Sequence, residues 1–195
     1  NLPNDREFWF TEYNTNMDKK TWGHGLMNIF MIHTWLTEGN TGLSNYHQFA
    51  QNSFNGYDLC ASSRALAMLA EATRGKTAAQ QLIINEQIQM NIPDAEIPAV
   101  IAWQFKKNGE TESTYFLANF SSDTVEIDIS NIDFRGEQLY KLTEAQLYET
   151  IDPGVTSDAL KQNLSLPPSS CMYFEAGEII SSNIAKQNRN ESNRI

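Results

Sequence analysis

The chain has 195 residues, a formal net charge of −10 at pH 7 and an apolar content of 41%. This composition is ordinary for a globular protein and argues against wholesale disorder. The negative charge argues against nucleic acid and against anionic membranes as partners, because both would be repelled. The first residues, NLPNDREFWF, lack the basic start and apolar block of a signal peptide and are typical of the middle of a protein.

The sequence offers no motif for binding a metal ion or a phosphate group. Its histidines, His24, His33 and His47, form neither an HExxH motif nor a Cys/His cluster, and no glycine-rich phosphate loop occurs. We therefore predict no metal site and no cofactor. Cys60 and Cys171 lie far apart in the sequence, and we expect two free, buried thiols, although a disulfide between them stays open.

The first part of the chain alternates between strand and helix patterns. The aromatic-rich run at residues 7–13 (EFWFTEY) predicts a buried strand. Residues 21–39 predict a helix with apolar residues on more than one face. Residues 42–52 predict a second strand, and a second helix is predicted from an N-cap at Ser62 to a stop at Gly75. This alternation is typical of parallel strands joined by helical crossovers.

The second part of the chain shows short strands separated by turn-rich connections, which is typical of an antiparallel β-sandwich. The predicted strands are residues 97–107, 114–121, 124–130, 138–149 and 164–176. The change of pattern falls within residues 75–96. We therefore divide the chain into an α/β region at 1–85, an all-β sandwich at 86–180 and a polar, disordered tail at 181–195.

Glu12 is the residue that carries the clearest chemical signal. It follows a buried aromatic run in the sequence Phe10-Thr11-Glu12-Tyr13-Asn14, where a lone carboxylate is costly to desolvate. A glutamate at such a strand end can act as the nucleophile of retaining glycoside hydrolysis, while a second carboxyl group protonates the leaving oxygen. Taken alone, the pattern favours a simpler alternative, a surface glutamate that pairs with Lys19 or Lys20.

A resemblance to a known group of enzymes changes that balance. The segment FWFTEYNTNM, residues 8–17, resembles the seventh-strand nucleophile segment of clan-A glycoside hydrolases, above all the β-xylosidase and α-iduronidase family and then the α-L-arabinofuranosidases. Residues 65–83 resemble the final barrel helix of such enzymes, and residues 164–175 resemble the last strand of their sandwich. The resemblance implies the carboxy-terminal part of a (β/α)8 TIM barrel followed by an antiparallel β-sandwich, with Glu12 as nucleophile.

The resemblance also implies a set of substrate-binding residues around Glu12, namely Tyr13, Asn14, Trp22, His24, His47 and Gln48. Because neighbouring residues on a strand face opposite ways, at most one of His47 and Gln48 points at the site, and the alternative for each is a packed or solvated strand residue. Trp22 and His24 open the loop after Glu12, where aromatic side chains can stack on sugar rings, but an aromatic residue near a helix start more often belongs to the core.

The second catalytic carboxylate is missing from the sequence. The similar enzymes carry an acid/base glutamate after their fourth strand, commonly in an Asn-Glu pair, and that strand would lie before Asn1. Asn85-Glu86 follows the last predicted helix and Glu38 ends the first one, so neither is assigned. We therefore interpret the chain as a fragment that carries the nucleophile and is inactive alone, or as one half of a two-chain enzyme.

The predicted function is the retaining hydrolysis of a neutral plant or algal polysaccharide, or of an oligosaccharide derived from it, by a secreted or periplasmic enzyme. Its partners would be the carbohydrate substrate and the missing amino-terminal part of the barrel. One alternative is a binding module whose sandwich recognises carbohydrate. Another is a structural interaction protein in which a partner covers the exposed half of a barrel.

Overall fold

The computed structural model describes residues 8–13, 18–38, 41–46, 54–84, 89–92, 95–133 and 138–179. The backbone alone is described at residues 8–13, 38, 41–46, 89–92 and 95–97. Within these ranges the protein consists mostly of β-sheet, with two α-helices. The disordered tail predicted at 181–195 lies outside the described residues.

The chain begins with the predicted alternation of strands and helices. Strand β1 covers Phe8–Tyr13, helix α1 covers Trp22–Glu38 and strand β2 covers Thr41–Tyr46. A short hairpin of β3 (Phe54–Asn55) and β4 (Asp58–Leu59) precedes helix α2, which covers Ala61–Thr73. β1 and β2 pair in parallel, as predicted, so α1 is the crossover between them.

The remaining strands, β5 to β14, follow α2 and are all paired antiparallel. In chain order they are β5 (Ala78–Leu82), β6 (Gln89–Ile92), β7 (Ala95–Pro98), β8 (Val100–Lys106), β9 (Ser113–Asn119), β10 (Val125–Asp128), β11 (Leu139–Glu144), β12 (Thr156–Ala159), β13 (Asn163–Leu166) and β14 (Ser170–Ala176). Six of them form one sheet in the order β12-β11-β14-β9-β8-β5. β10 pairs with β13 and β6 pairs with β7.

The start of α1 is set by Thr21. The Thr21 hydroxyl accepts a hydrogen bond from the backbone N–H of His24 at 3.3 Å, which is the contact of an N-cap residue. The same hydroxyl donates to the carbonyl oxygen of Asp18 at 2.7 Å and fixes the turn before the helix. Lys20, within that turn, has a left-handed φ of 75°.

Helix α2 begins differently from the prediction. Cys60 is its N-cap residue and makes no capping side-chain hydrogen bond, so the expectation that Ser62 caps the helix is wrong. Ser62 is instead fully buried in the first turn, where α1 crosses α2. At Gly25 of α1, an added Cβ would lie 2.7 Å from Ser62 O and 2.9 Å from Ala65 Cβ. The absence of a side chain at Gly25 therefore permits the close approach of the helices.

The six-stranded sheet has one apolar core on each face. One core lies between the sheet and the two helices and contains Trp22, Leu26, Ile29, Ala65, Met68, Trp103, Phe105 and Phe116. The other lies under the β10–β13 pair and contains Val100, Tyr115, Leu117, Ile127, Leu164, Leu166, Met172 and Phe174. Strands β8 and β9 are buried nearly throughout because both of their faces are covered.

Several strands differ from the prediction: β3, β4, β6 and β12 lie outside the predicted runs, and the strand predicted at 138–149 ends at Glu144. The edge strand β5 lies in the segment 75–96 that the sequence assigned to a connection, and it pairs with β8 from Ala78 opposite Lys106 to Leu82 opposite Ala102. The single strand predicted at 164–176 is two strands in two sheets, because Pro167-Pro168 interrupts the run. Asn119 secures this break, since its side-chain Nδ2 donates to the carbonyl oxygens of Leu166 and Pro167.

The parts of the predicted architecture are present as a parallel α/β region and an antiparallel region. Within the described residues β1 and β2 form a two-stranded sheet and no closed barrel. Cys60 and Cys171 form no disulfide and are buried, as expected. Burial raises the pKa of the Cys171 thiol well above its usual range, so this cysteine behaves as an apolar side chain.

Candidate active site

Glu12 lies at the carboxyl end of β1, one residue before the strand ends at Tyr13. In the parallel pairing, Phe10 lies opposite Ser44 and Tyr13 opposite Tyr46, so the carboxyl ends of β1 and β2 are side by side. Parallel strands open toward ligands at this end, where the loops that lead into the helices begin. The backbone therefore places Glu12 at the end of the parallel sheet where α/β enzymes hold their substrates.

Several of the predicted site residues can be placed only in part or not at all. The backbone of Glu12 and Tyr13 is described, but their side chains are not. Asn14, His47 and Gln48 lie outside the described residues.

A loop after β11 binds the amino ends of both helices. The backbone N–H groups of Trp22 and Gly23 donate to the carbonyl oxygens of Glu149 and Leu147, each at 2.8 Å, and the N–H of Ala61 donates to Thr150 O at 3.1 Å. First-turn N–H groups have no partner within their own helix, so this loop satisfies them. Both helices therefore begin beside the same loop of the antiparallel region.

An ion pair holds the same loop against α2. The Arg64 guanidinium donates to both carboxylate oxygens of Asp152, with Nε–Oδ1 at 2.8 Å and Nη2–Oδ2 at 2.6 Å. Asp152 Oδ1 also accepts the backbone N–H of Gly154 at 2.8 Å. The hydrogen bonds from Arg64 lower the pKa of Asp152, so the pair is charged at neutral pH.

Trp22 is a core residue in the structure. Its side chain is completely buried between the helices and the sheet, and its indole N–H donates to the carbonyl oxygen of Ser169. Neither face of the ring is accessible to a sugar. Trp22 therefore belongs to the core, which is the more common place for an aromatic residue near a helix start.

His24 is also completely buried. Its Nε2 lies 3.4 Å from the side-chain Nδ2 of Asn28, one helical turn further along α1. Burial lowers the pKa of His24, and the nearby charge of Lys19 lowers it further, so the ring is neutral at neutral pH. A ligand in solvent does not reach this ring in the structure.

His33, the second histidine in the described residues, joins the two regions of the molecule. His33, on the same face of α1 as Trp22, accepts a hydrogen bond at Nδ1 from the indole N–H of Trp103 at 3.0 Å. An acceptor nitrogen must be unprotonated, and burial lowers the pKa of His33 in agreement with that requirement. His33 is therefore a structural residue that fixes α1 on the six-stranded sheet.

Sequence reasoning overlooked two exposed tyrosines near the helix starts. Tyr57 lies in the turn between β3 and β4, and Tyr148 lies in the loop that binds the helix ends. Gly56 was the available signal, because a glycine at the first position of a two-residue loop, here Gly56-Tyr57, is typical of a hairpin turn. Gly56 has the left-handed φ, 68°, that such a turn requires.

The described residues contain no group of three or more His, Cys, Asp or Glu side chains that could hold a metal ion. Among the same residues, neither helix combines the length and apolar character needed to cross a bilayer.

Solved structures show which proteins share this fold. A family 30, subfamily 8 xylanase from Clostridium acetobutylicum matches with a TM-score of 0.58 at 15% identity, over 88% of this chain and 43% of the xylanase. A family 51 α-L-arabinofuranosidase from Thermotoga petrophila matches with a TM-score of 0.61 at 15% identity, over 87% and 43%. The chain has the fold of part of a clan-A glycoside hydrolase.

The predicted resemblance is thus confirmed at the level of the fold. A family 30 xylanase from Talaromyces cellulolyticus is similar as well, with a TM-score of 0.58 at 18% identity over 88% of this chain. The chain spans only 41–43% of the length of these three enzymes. No protein-family model matches the sequence, and no curated protein sequence matches it.

Proposed function

We propose that the chain is the nucleophile-bearing part of a retaining glycoside hydrolase, with Glu12 as the nucleophile. The observation that carries this proposal is the position of Glu12 at the carboxyl end of β1, beside the parallel strand β2. The similarity of the fold to xylanases and arabinofuranosidases supports glycoside hydrolysis as the reaction class.

The proposed reaction is a double displacement. The Glu12 carboxylate attacks the anomeric carbon and forms a glycosyl ester, while the bond to the leaving oxygen breaks and a second carboxylic acid protonates that oxygen. Water, deprotonated by the second group, then attacks the same carbon and releases Glu12. Retaining enzymes hold the two carboxyl groups about 5–5.5 Å apart. We assign the second group to a segment upstream of Asn1.

This proposal gives each region of the fold a role. β1, α1, β2 and α2 would form the last quarter of a (β/α)8 barrel, completed by the missing amino-terminal portion. The six-stranded sheet and the β10–β13 pair would form the adjoining β-sandwich. Residues 1–195 alone would lack the acid/base group and would show no turnover.

The substrate class follows from the similar enzymes and from the charge of the chain. The names of the similar proteins include xylanase and arabinofuranosidase, so we propose a neutral pentose-containing polysaccharide or its oligosaccharides as substrate. The net charge of −10 disfavours a polyanionic substrate. Tyr13, Asn14 and one of His47 and Gln48 are the proposed substrate contacts, and a secreted or periplasmic enzyme would meet such a substrate.

The test is the variant Glu12→Gln in the complete natural polypeptide, with aryl xylosides and aryl arabinosides as substrates. Glutamine keeps the shape of the side chain and removes the nucleophilic charge, so turnover should fall by several orders of magnitude. The matched control is Glu126→Gln on the exposed face of β10, which should leave turnover unchanged.

A second variant separates loss of the nucleophile from loss of folding. Azide should partly restore turnover to Glu12→Ala by taking the place of the carboxylate, and it should give a glycosyl azide of inverted configuration. Near-normal turnover of Glu12→Gln on an activated substrate would remove Glu12 from this role.

A further inference from the structure

Exposed apolar side chains are concentrated in one small part of the molecule. Of the nine large apolar side chains that are exposed in the described part of the chain, five lie at Tyr57 and within the loop 147–155. The most exposed of these are Tyr57 at 103%, Tyr148 at 80% and Ile151 at 71%. We name these three residues the tyrosine surface. Single exposed apolar residues need no explanation, but a cluster on two neighbouring loops does.

The two loops that carry the tyrosine surface are joined to each other. The side chain of Asn55 donates from Nδ2 to the carbonyl oxygen of Thr150 at 3.1 Å. Cys60 forms an antiparallel bridge with Ile151, and the N–H of Ala61 donates to Thr150 O. Tyr57 and Tyr148 each lie two residues from the Asn55–Thr150 hydrogen bond. Their backbones are therefore held near each other before any ligand binds, which lowers the entropy cost of binding.

The position of the tyrosine surface relates it to the candidate active site. The loop 147–150 binds the amino ends of both helices, and a crossover helix begins on the side of the sheet where the preceding strand ends. Glu12 lies at that end of β1. A long linear ligand that leaves the Glu12 site along this side of the molecule would meet the exposed rings of Tyr57 and Tyr148.

We propose that the tyrosine surface is a binding site for a neutral polysaccharide chain, separate from the site of bond cleavage. Tyrosine offers an apolar ring face on which a sugar ring can stack and a hydroxyl that hydrogen-bonds to sugar hydroxyls. Asp58 and Glu149 directly follow the two tyrosines, and the chain carries a net charge of −10, which together disfavour polyanions.

A second protein chain is a poorer occupant than a polysaccharide. A stable protein interface takes about 20–30 residues from each partner, including a central apolar patch. The tyrosine surface offers three strongly exposed apolar side chains, of which Tyr57 and Tyr148 lie in turns. A few separated rings of this kind suit the extended, narrow shape of a sugar chain.

The test measures binding directly and does not depend on catalysis. The complete natural polypeptide is run by native affinity electrophoresis in gels that contain linear xylan, arabinoxylan, hydroxyethylcellulose or carboxymethylcellulose. We expect retardation by at least one neutral polysaccharide and at least a tenfold rise in its dissociation constant for Tyr57→Ala/Tyr148→Ala. The matched control is Leu139→Ala, which removes a side chain of 55% exposure at the far end of β11.

Each outcome decides the proposal. Retardation that the double variant loses and the Leu139 control keeps supports the tyrosine surface, provided that both variants unfold at the wild-type temperature. Equal retardation of the double variant and the wild type, no retardation by any neutral polysaccharide, or stronger binding to carboxymethylcellulose would overturn it. A change in oligomeric state of the double variant, measured by light scattering, without a change in retardation would assign the surface to a contact between copies of the chain.

The result is independent of the nucleophile proposal. Loss of turnover in Glu12→Gln together with unchanged retardation of the double variant would reject the tyrosine surface and keep Glu12. If the polypeptide has no glycosidase turnover but its retardation depends on the tyrosines, the tyrosine surface is kept and the role of Glu12 is rejected. That result would favour the alternative function of a carbohydrate-binding module.

Discussion

In the described residues, the strands of the parallel region have fewer partner strands than the inner strands of the antiparallel region. The inner strands of the six-stranded sheet, such as β9 and β14, are paired on both sides and packed on both faces. In the described part of the chain, β1 and β2 pair only with each other. Parallel sheets are normally covered on both faces and belong to larger sheets, and a two-stranded sheet is marginal alone.

The sheet that carries the apolar cores is therefore not the sheet that carries the proposed nucleophile. The six-stranded sheet carries two apolar cores but none of the residues proposed for catalysis, whereas Glu12 lies on the less complete parallel pair. The helices α1 and α2 connect the two, because one core packs them onto the sheet. The sheet thus serves as the support that fixes the helices, and through them the strand that carries Glu12. Four experiments test this relation, all in the complete polypeptide.

The largest effect is expected at Trp22, a fully buried residue of the core between the helices and the sheet. Trp22→Ala removes a fully buried side chain from the core and leaves the carbonyl oxygen of Ser169 without its indole donor. The free energy of unfolding should fall by about 3–5 kcal/mol. Urea denaturation measures it, and Met27→Ala, at 41% exposure on the same helix, should cost far less. Equal losses in the two variants would show that α1 does not depend on the sheet.

A smaller effect is expected where the two helices cross. Gly25→Ala places a Cβ within 2.8 Å of two backbone atoms of Ser62, so the helices must move apart. Overpacking of this kind costs about 1–3 kcal/mol. The double variant Gly25→Ala/Ala65→Gly should recover only a small part of the loss, because it relieves the contact with Ala65 and leaves those with the Ser62 backbone. Full recovery would place the conflict at the side chain instead.

The sequence predicted the elements whose pattern is set locally. The helix at residues 21–39 was predicted from its apolar spacing, and the structure has α1 at Trp22–Glu38. β5 was missed because its sequence, AAQQL, has no alternation and its three central residues are exposed. Its pairing with β8, distant in sequence, makes it a strand. Pairing of this kind is a property of the whole fold and leaves little trace in a short segment.

The candidate site was predictable to a similar extent. The aromatic run predicted a strand correctly, and Glu12 lies near the end of that strand. A carboxylate at such a position is chemically unusual, which is why Glu12 was chosen as the candidate nucleophile. Trp22 and His24 were placed beside the substrate by their proximity to Glu12 in sequence, but the structure buries both. Proximity along the chain does not tell on which side of a helix a residue lies relative to a sheet formed later in the sequence. The joining of the loops at Tyr57 and Tyr148 depends on the same long-range packing.

The hydrogen bond between Trp103 and His33 predicts a pH-dependent link between the regions. Burial lowers the pKa of His33 in the folded protein, while its pKa in the unfolded protein is about 6.5. The unfolded state therefore binds more protons below about pH 6.5. The stabilisation is complete above that pH and is lost as the pH falls through the folded pKa. The change is at most about 1.4 kcal/mol per pH unit.

A variant that keeps an acceptor isolates the contribution of His33 from that of His24. Glutamine at position 33 can accept the Trp103 N–H and does not titrate. The difference in unfolding free energy between wild type and His33→Gln, measured by urea denaturation at several values between pH 8 and pH 5, should shift in favour of the variant as the pH falls. His24 is present in both proteins, so its titration cancels. A constant difference over this range would show that His33 is not held neutral by the fold.

The smallest effect is expected from the ion pair that holds the helix-binding loop to α2. The Arg64–Asp152 pair is bidentate and each side chain is only 23% exposed, so its coupling should reach about 0.5–1 kcal/mol. A double-mutant cycle of Arg64→Ala and Asp152→Asn measures it, since asparagine preserves an acceptor for the Gly154 N–H.

The exposed pair Lys107–Glu110 is the matched control for this cycle. Its side chains are 54% and 45% exposed and make a single contact of 2.9 Å, so the coupling should be close to zero. Arg64 lowers the pKa of Asp152, so the coupling should be present above about pH 3.9, the unfolded value, and should be lost as the pH falls through the folded pKa. Equal coupling in the two pairs would mean that the contact between the loop and α2 owes nothing to this ion pair, and that the backbone hydrogen bonds at the helix ends hold the loop alone.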